Sequence, residues 1–148
     1  MKPEQTQDEI ETHLLEAVEK QDILATQFYV TVRDSHDSAS KTNDRLPLHV
    51  ACEKGFIDIT LFLLLNSESP NVLDSKGKSP LHYAVERNDV NLVALLLKNG
   101  ADPTVTDVSG KSVKDITPQS EYVSGAIEFV IIIITITIII HHFKQLCD

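Results

Sequence analysis

Apolar residues occur at helical spacing in short paired segments along most of the chain. In the clearest pair, one apolar stripe covers Leu81 to Val85 and a broader one covers Val90 to Leu97, as expected of two amphipathic helices. Asn88 lies between them at a turn. Pro80 stands where the first turn of a helix tolerates proline, and Gly100 stands where a helix ends in a left-handed residue. The pattern predicts a helical hairpin.

The same pattern occurs three times at nearly constant spacing. Ala17 to Ile23, Ala51 to Ile57 and Ala84 to Val90 can be superimposed, with steps of 34 and 33 residues. Around the last two, the match widens to Pro-Leu-His-x-Ala at Pro47 to Ala51 and at Pro80 to Ala84. This period and these residues resemble the ankyrin repeat family. The resemblance implies an all-α solenoid of about three helix-turn-helix units with a degenerate C-terminal part.

The resemblance also divides the chain into three parts. We predict a disordered N-terminus at 1–9, an ankyrin repeat domain at 10–117 and a non-ankyrin tail at 118–148. Residues beyond Thr117 are expected to be poorly ordered as well, because the last unit of a repeat array lacks a neighbour on one side. The units are expected at the following ranges: about 10–40, 41–73 and 74–106, with a partial unit at 107–117.

The two ends of the array depart from the repeat pattern. In the first unit, helices are predicted at Leu14 to Lys20 and Ile23 to Val30, and a polar loop at Val32 to Lys41 replaces the compact turn. In the last unit, Val113 to Ile116 is a weak copy of the first helix, and no second helix is recognisable after Pro118. Stability is therefore expected to be marginal, because about three units are the minimum for a continuous core.

Ankyrin repeats hold other proteins, so the resemblance implies a protein-interaction module, either an adaptor or a regulatory scaffold. It further implies that partners contact a concave surface, which comprises the hairpin tips and the ends of each unit's first helix. The corresponding residues are Thr42, Asn43, Arg45, Glu53, Lys54, Ser75, Lys76, Lys78, Glu86, Arg87, Val108, Ser109 and Lys111.

Charges repeat along this surface in two columns. Glu19, Glu53 and Glu86 form one column and Lys20, Lys54 and Arg87 the next. The tips are mostly small polar or basic, which favours a partner that presents acidic or hydroxyl groups. Alternatively, these side chains only supply solubility and weak surface ion pairs, each contributing about 0–1 kcal/mol.

The amino-acid composition limits the classes of partner that this chain is expected to bind. The 22 acidic residues outnumber 13 basic ones, and the formal charge of −9 opposes binding to nucleic acid.

No catalytic or phosphate-binding motif occurs. The aligned His49 and His82 are expected to order turns by hydrogen bonding, as in the family, and Cys52 and Cys147 have no metal-ligand spacing. We therefore predict no enzyme activity, catalytic residue, metal or cofactor, and we expect a monomer.

The start of the chain is polar and acidic, unlike a secretory signal. The cysteines look like unpaired thiols, as in a reducing compartment. A cytoplasmic location is expected for the repeats, with a nuclear one left open.

The C-terminal tail contains an isoleucine-rich segment that no ankyrin repeat has. As a helix, the twelve residues Phe129 to Ile140 rise about 18 Å, whereas a bilayer core measures about 30 Å. Extension to 126–143 gives a plausible membrane anchor, with Glu128 and two histidines near its ends and the repeats facing the cytosol.

Other interpretations of the tail stay open. Its β-branched residues favour a β-strand that would aggregate unless covered. The segment could also be an unselected tail translated from a trinucleotide tract. Finally, the whole chain could be the detached regulatory portion of a larger enzyme or channel.

Overall fold

The computed structural model describes residues 6–35, 46–66, 68–116 and 121–146. Within these ranges the chain forms seven α-helices. Their bounds are α1 (Gln7–Glu19), α2 (Ile23–Ser35), α3 (Pro47–Lys54), α4 (Ile57–Leu65), α5 (Pro80–Glu86), α6 (Val90–Lys98) and α7 (Glu121–Leu146).

The first six helices form three helix-turn-helix pairs that stack in sequence order. The first helices of the pairs, α1, α3 and α5, pack side by side in one layer. The second helices lie behind them, where α4 contacts α6, and α7 then packs against α6. This arrangement confirms the all-α solenoid expected from the repeat pattern.

Each pair turns at an equivalent residue with a left-handed backbone. These residues are Gln21 (φ 56°), Gly55 (φ 78°) and Asn88 (φ 58°). Glycine adopts this conformation without strain, and asparagine adopts it more readily than most residues. Glutamine makes unfavourable steric contacts in this conformation. The left-handed turn residue thus recurs along the backbone with the same spacing as the repeats in the sequence.

The first helices of the second and third pairs begin in the same way. Pro47 and Pro80 each occupy the first turn of their helix, where the missing N–H of proline is not needed. Two residues later, Nδ1 of His49 accepts a hydrogen bond from the Leu46 N–H at 3.3 Å. Nδ1 of His82 accepts one from the Ser79 N–H at 3.1 Å. The helix starts therefore depend on the proline and histidine of the repeat signature.

The core runs through all three pairs, and it includes leucines from both helices of the second and third pairs. Leu63, Leu92 and Leu96 are fully buried, as are Leu48 and Leu81 of the first helices. Cys52 lies in the same core, and burial raises the pKa of its thiol to about 12, although a contact with Thr60 acts in the opposite direction. This cysteine is a small apolar packing group rather than a reactive thiol.

The N-terminal pair is longer at both ends than predicted. Helix α1 begins at Gln7, inside the segment predicted to be disordered, because Thr6 and Glu9 form a reciprocal capping box. Helix α2 continues to Ser35, so the polar loop predicted from Val32 onward was wrong for its first four residues. Arg33 in this extension makes an ion pair of 2.5 Å with Glu68 of the next unit, which holds the last turn in place.

The C-terminal part also differs from the prediction. Val113 to Ile116 forms turns rather than the weak helix expected there, although Val113 is buried. The isoleucine-rich tail is helical, not a β-strand, and residues 121–146 form the continuous helix α7 where poor order was expected.

Helix α7 closes the open end of the stack with its first turns. Ile127 is buried in the core, and Val130 and Ile131 pack against it. Over Ile127–Leu146, α7 is long and apolar enough to cross a membrane, judged by length and composition alone.

Candidate protein-binding surface

Two equivalent turns project from the stack, each folded around one aspartate. Oδ1 of Asp74 accepts hydrogen bonds from the N–H groups of Lys76 and Lys78, both at 2.9 Å. Oδ1 of Asp107 accepts them from the N–H groups of Ser109 and Lys111, at 2.8 and 3.0 Å. A buried or partly shielded carboxylate with two amide donors fixes a turn locally. The lysines and serines at these tips are therefore held on defined backbones.

The two tips are also joined to each other. The N–H of Val108 donates to the carbonyl of Lys76 at 3.0 Å. The approach is close at Gly77 (φ 69°), where an added Cβ would lie 3.0 Å from the Val108 nitrogen. Both tips thus belong to one rim, which we define as residues 74–78 and 107–111.

Opposing effects set the protonation of Asp74. Burial raises the pKa of its carboxyl, but hydrogen bonds from the Tyr83 hydroxyl and the two lysine amides outweigh burial and lower the pKa overall. The Tyr83 hydroxyl donates to Oδ2 of Asp74 at 2.5 Å. The carboxyl is therefore an anion at neutral pH, and it connects the rim to helix α5.

A pocket of about 300 Å³ lies between this rim and the ends of α3 and α5. It is lined by Glu53, Asp74, Ser75, Lys76, Lys78, Tyr83 and Glu86. Five of these seven residues were predicted to contact a partner. The structure therefore brings residues of two neighbouring units into one concave feature.

Comparison with known proteins agrees with this architecture. The family model described as "Ankyrin repeats (3 copies)" matches residues 14–107, which is more than half of the chain. The chain belongs to the ankyrin repeat family. No curated protein sequence matches it.

Among solved structures, the ankyrin chain is similar to the ankyrin repeat domain of Bcl-3, described as a unique member of the IkappaB protein family. The TM-score is 0.69 at 23% sequence identity, and the match covers 78% of this chain and 50% of that one. This chain thus spans half the length of that domain's chain, and the likeness shows a shared fold.

One of the aligned histidines of the ankyrin stack, His49, links consecutive units. Nε2 of His49 lies 3.1 Å from the carbonyls of both Val72 and Lys78. Because a carbonyl can only accept, Nε2 carries the proton and donates to the next unit. Burial lowers the pKa of His82, while the carbonyl of Lys111, in the position equivalent to Lys78, opposes that shift. The predicted ordering of the turns by hydrogen bonding is confirmed for both histidines. Only His49 donates to the next unit, because Nε2 of His82 is buried without a hydrogen-bond partner among the described residues.

The predicted charge columns are only partly available to a partner. Lys78 makes an ion pair with Glu86. Nη1 of Arg87 donates to the Glu53 carbonyl at 3.0 Å, and the guanidinium lies so close to Gly55 that an added Cβ would be 2.6 Å from it. Arg87 therefore joins two units.

The remaining predicted site residues fall into two groups. Thr42, Asn43 and Arg45 lie outside the described residues. The others are exposed, with Val108 at 78%: Lys54, Ser75, Lys76, Val108, Ser109 and Lys111.

Sequence reasoning missed Asp74, Asp107 and Tyr83 as organisers of this surface. A signal for the two aspartates was present, because Asp-x-x-Gly-Lys-Ser occurs at both positions one repeat apart. Tyr83 carried no such signal, since it occupies the variable position of the repeat signature.

Over residues 6–35, 46–66, 68–116 and 121–146, no three metal-ligating side chains gather closely enough to hold an ion.

Proposed function

We propose that this ankyrin protein is an adaptor or regulatory scaffold that holds a segment of another protein against its rim and the adjoining pocket. The pocket between Glu53, Lys76 and Glu86 carries the proposal, because it is built from two units and lies beside an exposed rim. Binding rather than catalysis suits such a surface, whose polar groups largely hold the backbone of the turns.

The charges of the surface define the chemistry of the partner. Lys54, Lys76 and Lys111 are exposed, so acidic or hydroxyl groups of the partner are expected to face them. The pocket itself is more acidic than we predicted for the rim, because Glu53, Asp74 and Glu86 line it beside only two lysines. A hydrogen-bond donor without positive charge, such as a hydroxyl, therefore suits the pocket.

Matched charge reversals test this proposal. Lys76→Glu changes the rim, whereas Lys98→Glu makes the same charge change at the end of α6, away from the pocket lining. Partners are captured from native cells with the wild-type chain, and their affinity for each variant is then measured at low salt. We expect Lys76→Glu to weaken binding roughly tenfold, because like charges would meet at the interface, and Lys98→Glu to leave it unchanged.

Equal binding of both variants at low salt would show that the rim does not contact the partner. We leave Arg87 unchanged in this experiment because its contact with Glu53 supports the stack itself.

A further inference from the structure

Beyond its contact with α6, helix α7 exposes apolar side chains without a polar face. Each of six isoleucines in this part is at least 47% exposed: Ile132, Ile133, Ile136, Ile138, Ile139 and Ile140. Between Phe129 and Ile140 the only polar side chains are Thr135 and Thr137. Water is therefore an unfavourable environment for this part of the helix.

The two threonines do not need water as a hydrogen-bond partner. Their hydroxyls donate to the carbonyls of Ile131 and Ile133, each at 2.8 Å. A hydroxyl that is satisfied inside its own helix can enter hydrocarbon without leaving a donor unpaired.

The charges of α7 lie outside its isoleucine-rich part. Glu128 is in the docked part and Lys144 is in the last turn, and no charged residue separates them. A soluble pair of helices buries a narrow seam and keeps a polar outer face. Because α7 has apolar residues all round, lipid suits it better than a second helix does.

We propose that α7 enters a lipid bilayer from Ile132 onward, while its first turns stay on α6. The apolar run from Ile132 to Ile140 has nine residues and is followed by His141, His142 and Lys144. It rises about 14 Å, which is less than the roughly 30 Å of a bilayer core. The docked turns at Ile127 and Ile131 keep this end of α7 on the core of the repeats. The ankyrin stack is consequently held directly against the membrane surface.

Vesicle flotation tests the proposal with the full chain. The protein is synthesised in a cell-free system with phosphatidylcholine vesicles, floated through a density gradient at high salt and then washed with alkaline carbonate. We expect the wild-type chain to float and to stay with the vesicles after the wash. High salt and an uncharged lipid remove electrostatic adsorption as a cause of binding.

Two variants that each replace an exposed apolar residue by lysine make the test specific. Ile136→Lys places a charge in the middle of the inserted part, and Leu65→Lys places one at the end of α4, where the leucine is 72% exposed. Neither residue is in the core, so circular dichroism should show equal helix content. We expect Ile136→Lys to reduce the floating fraction at least about tenfold, and Leu65→Lys to float like the wild type.

Two results would overturn the lipid assignment. One is a wild-type chain that stays at the bottom of the gradient or is released by carbonate. The other is flotation of Ile136→Lys at the wild-type level. If the wild-type chain instead forms oligomers in the bottom fraction that Ile136→Lys dissociates, α7 packs on a second copy and not in lipid.

Discussion

The left-handed residue between the two helices of each pair shows how a single side chain affects a unit of the stack. Gly55 and Asn88 suit the positive φ at this position, whereas Gln21 has φ 56° with a longer side chain. A non-glycine residue in this region costs roughly 1–2 kcal/mol relative to the right-handed conformation. The first unit therefore contains a local strain that the third unit largely avoids.

Replacing Gln21 by glycine should relieve this strain. We expect Gln21→Gly to raise the free energy of unfolding by about 1 kcal/mol, because the steric relief exceeds the entropy cost of glycine. The control Gln27→Gly lies at an exposed position inside α2 and should lower that free energy by about 1 kcal/mol. Urea unfolding measures both. Equal destabilisation by the two substitutions would contradict the strain at Gln21.

At the scale of the helix, the ends of the stack depend on contacts between units. Arg33 in the last turn of α2 pairs with Glu68 of the second unit. Ile127 of α7 is only 2% exposed and belongs to the continuous core. Helix α7 thus occupies the place beside α6 where the outer helix of a further unit would pack.

Shortening the side chain of Ile127 tests whether the packing of α7 stabilises the stack. We expect Ile127→Ala to lower the free energy of unfolding by about 2–4 kcal/mol, because it leaves a cavity against the core. The control Ile140→Ala removes the same atoms from a residue that is 60% exposed, and a change within about 0.5 kcal/mol is expected. Thermal unfolding in one mild detergent compares the two. Similar stability of both variants would mean that α7 does not cap the stack.

The repeat pattern was sufficient to predict α3 to α6, because their turns and helix starts depend on local residues such as Pro80 and Gly100. The extension of α2 and the docking of α7 could not be predicted in this way. Both depend on tertiary contacts, made by Arg33 and Ile127, that have no counterpart in the repeat. The predicted site residues Glu53, Lys76 and Glu86 line one pocket, but the acidic charge of this pocket was not predicted, since the lining also includes Asp74.

For the whole molecule, the stack separates the rim and its pocket from the end that α7 covers. The rim joins the third unit to the partial fourth one through the bond from Val108 to Lys76, and the pocket lies between the second and third units. Helix α7 packs on the other layer, against α6. A partner on the rim and a bilayer around α7 would therefore contact different elements of the protein.

Hydrogen–deuterium exchange of the chain, alone and with a captured partner, tests the central claim most directly. We expect the partner to slow exchange of the backbone amides in the rim, at 74–78 and 107–111, and at the ends of α3 and α5, because these elements surround the pocket. Exchange in α2, α4 and α6 should remain unchanged. Slowed exchange confined to those three outer helices, with the rim unaffected, would contradict the proposed binding surface.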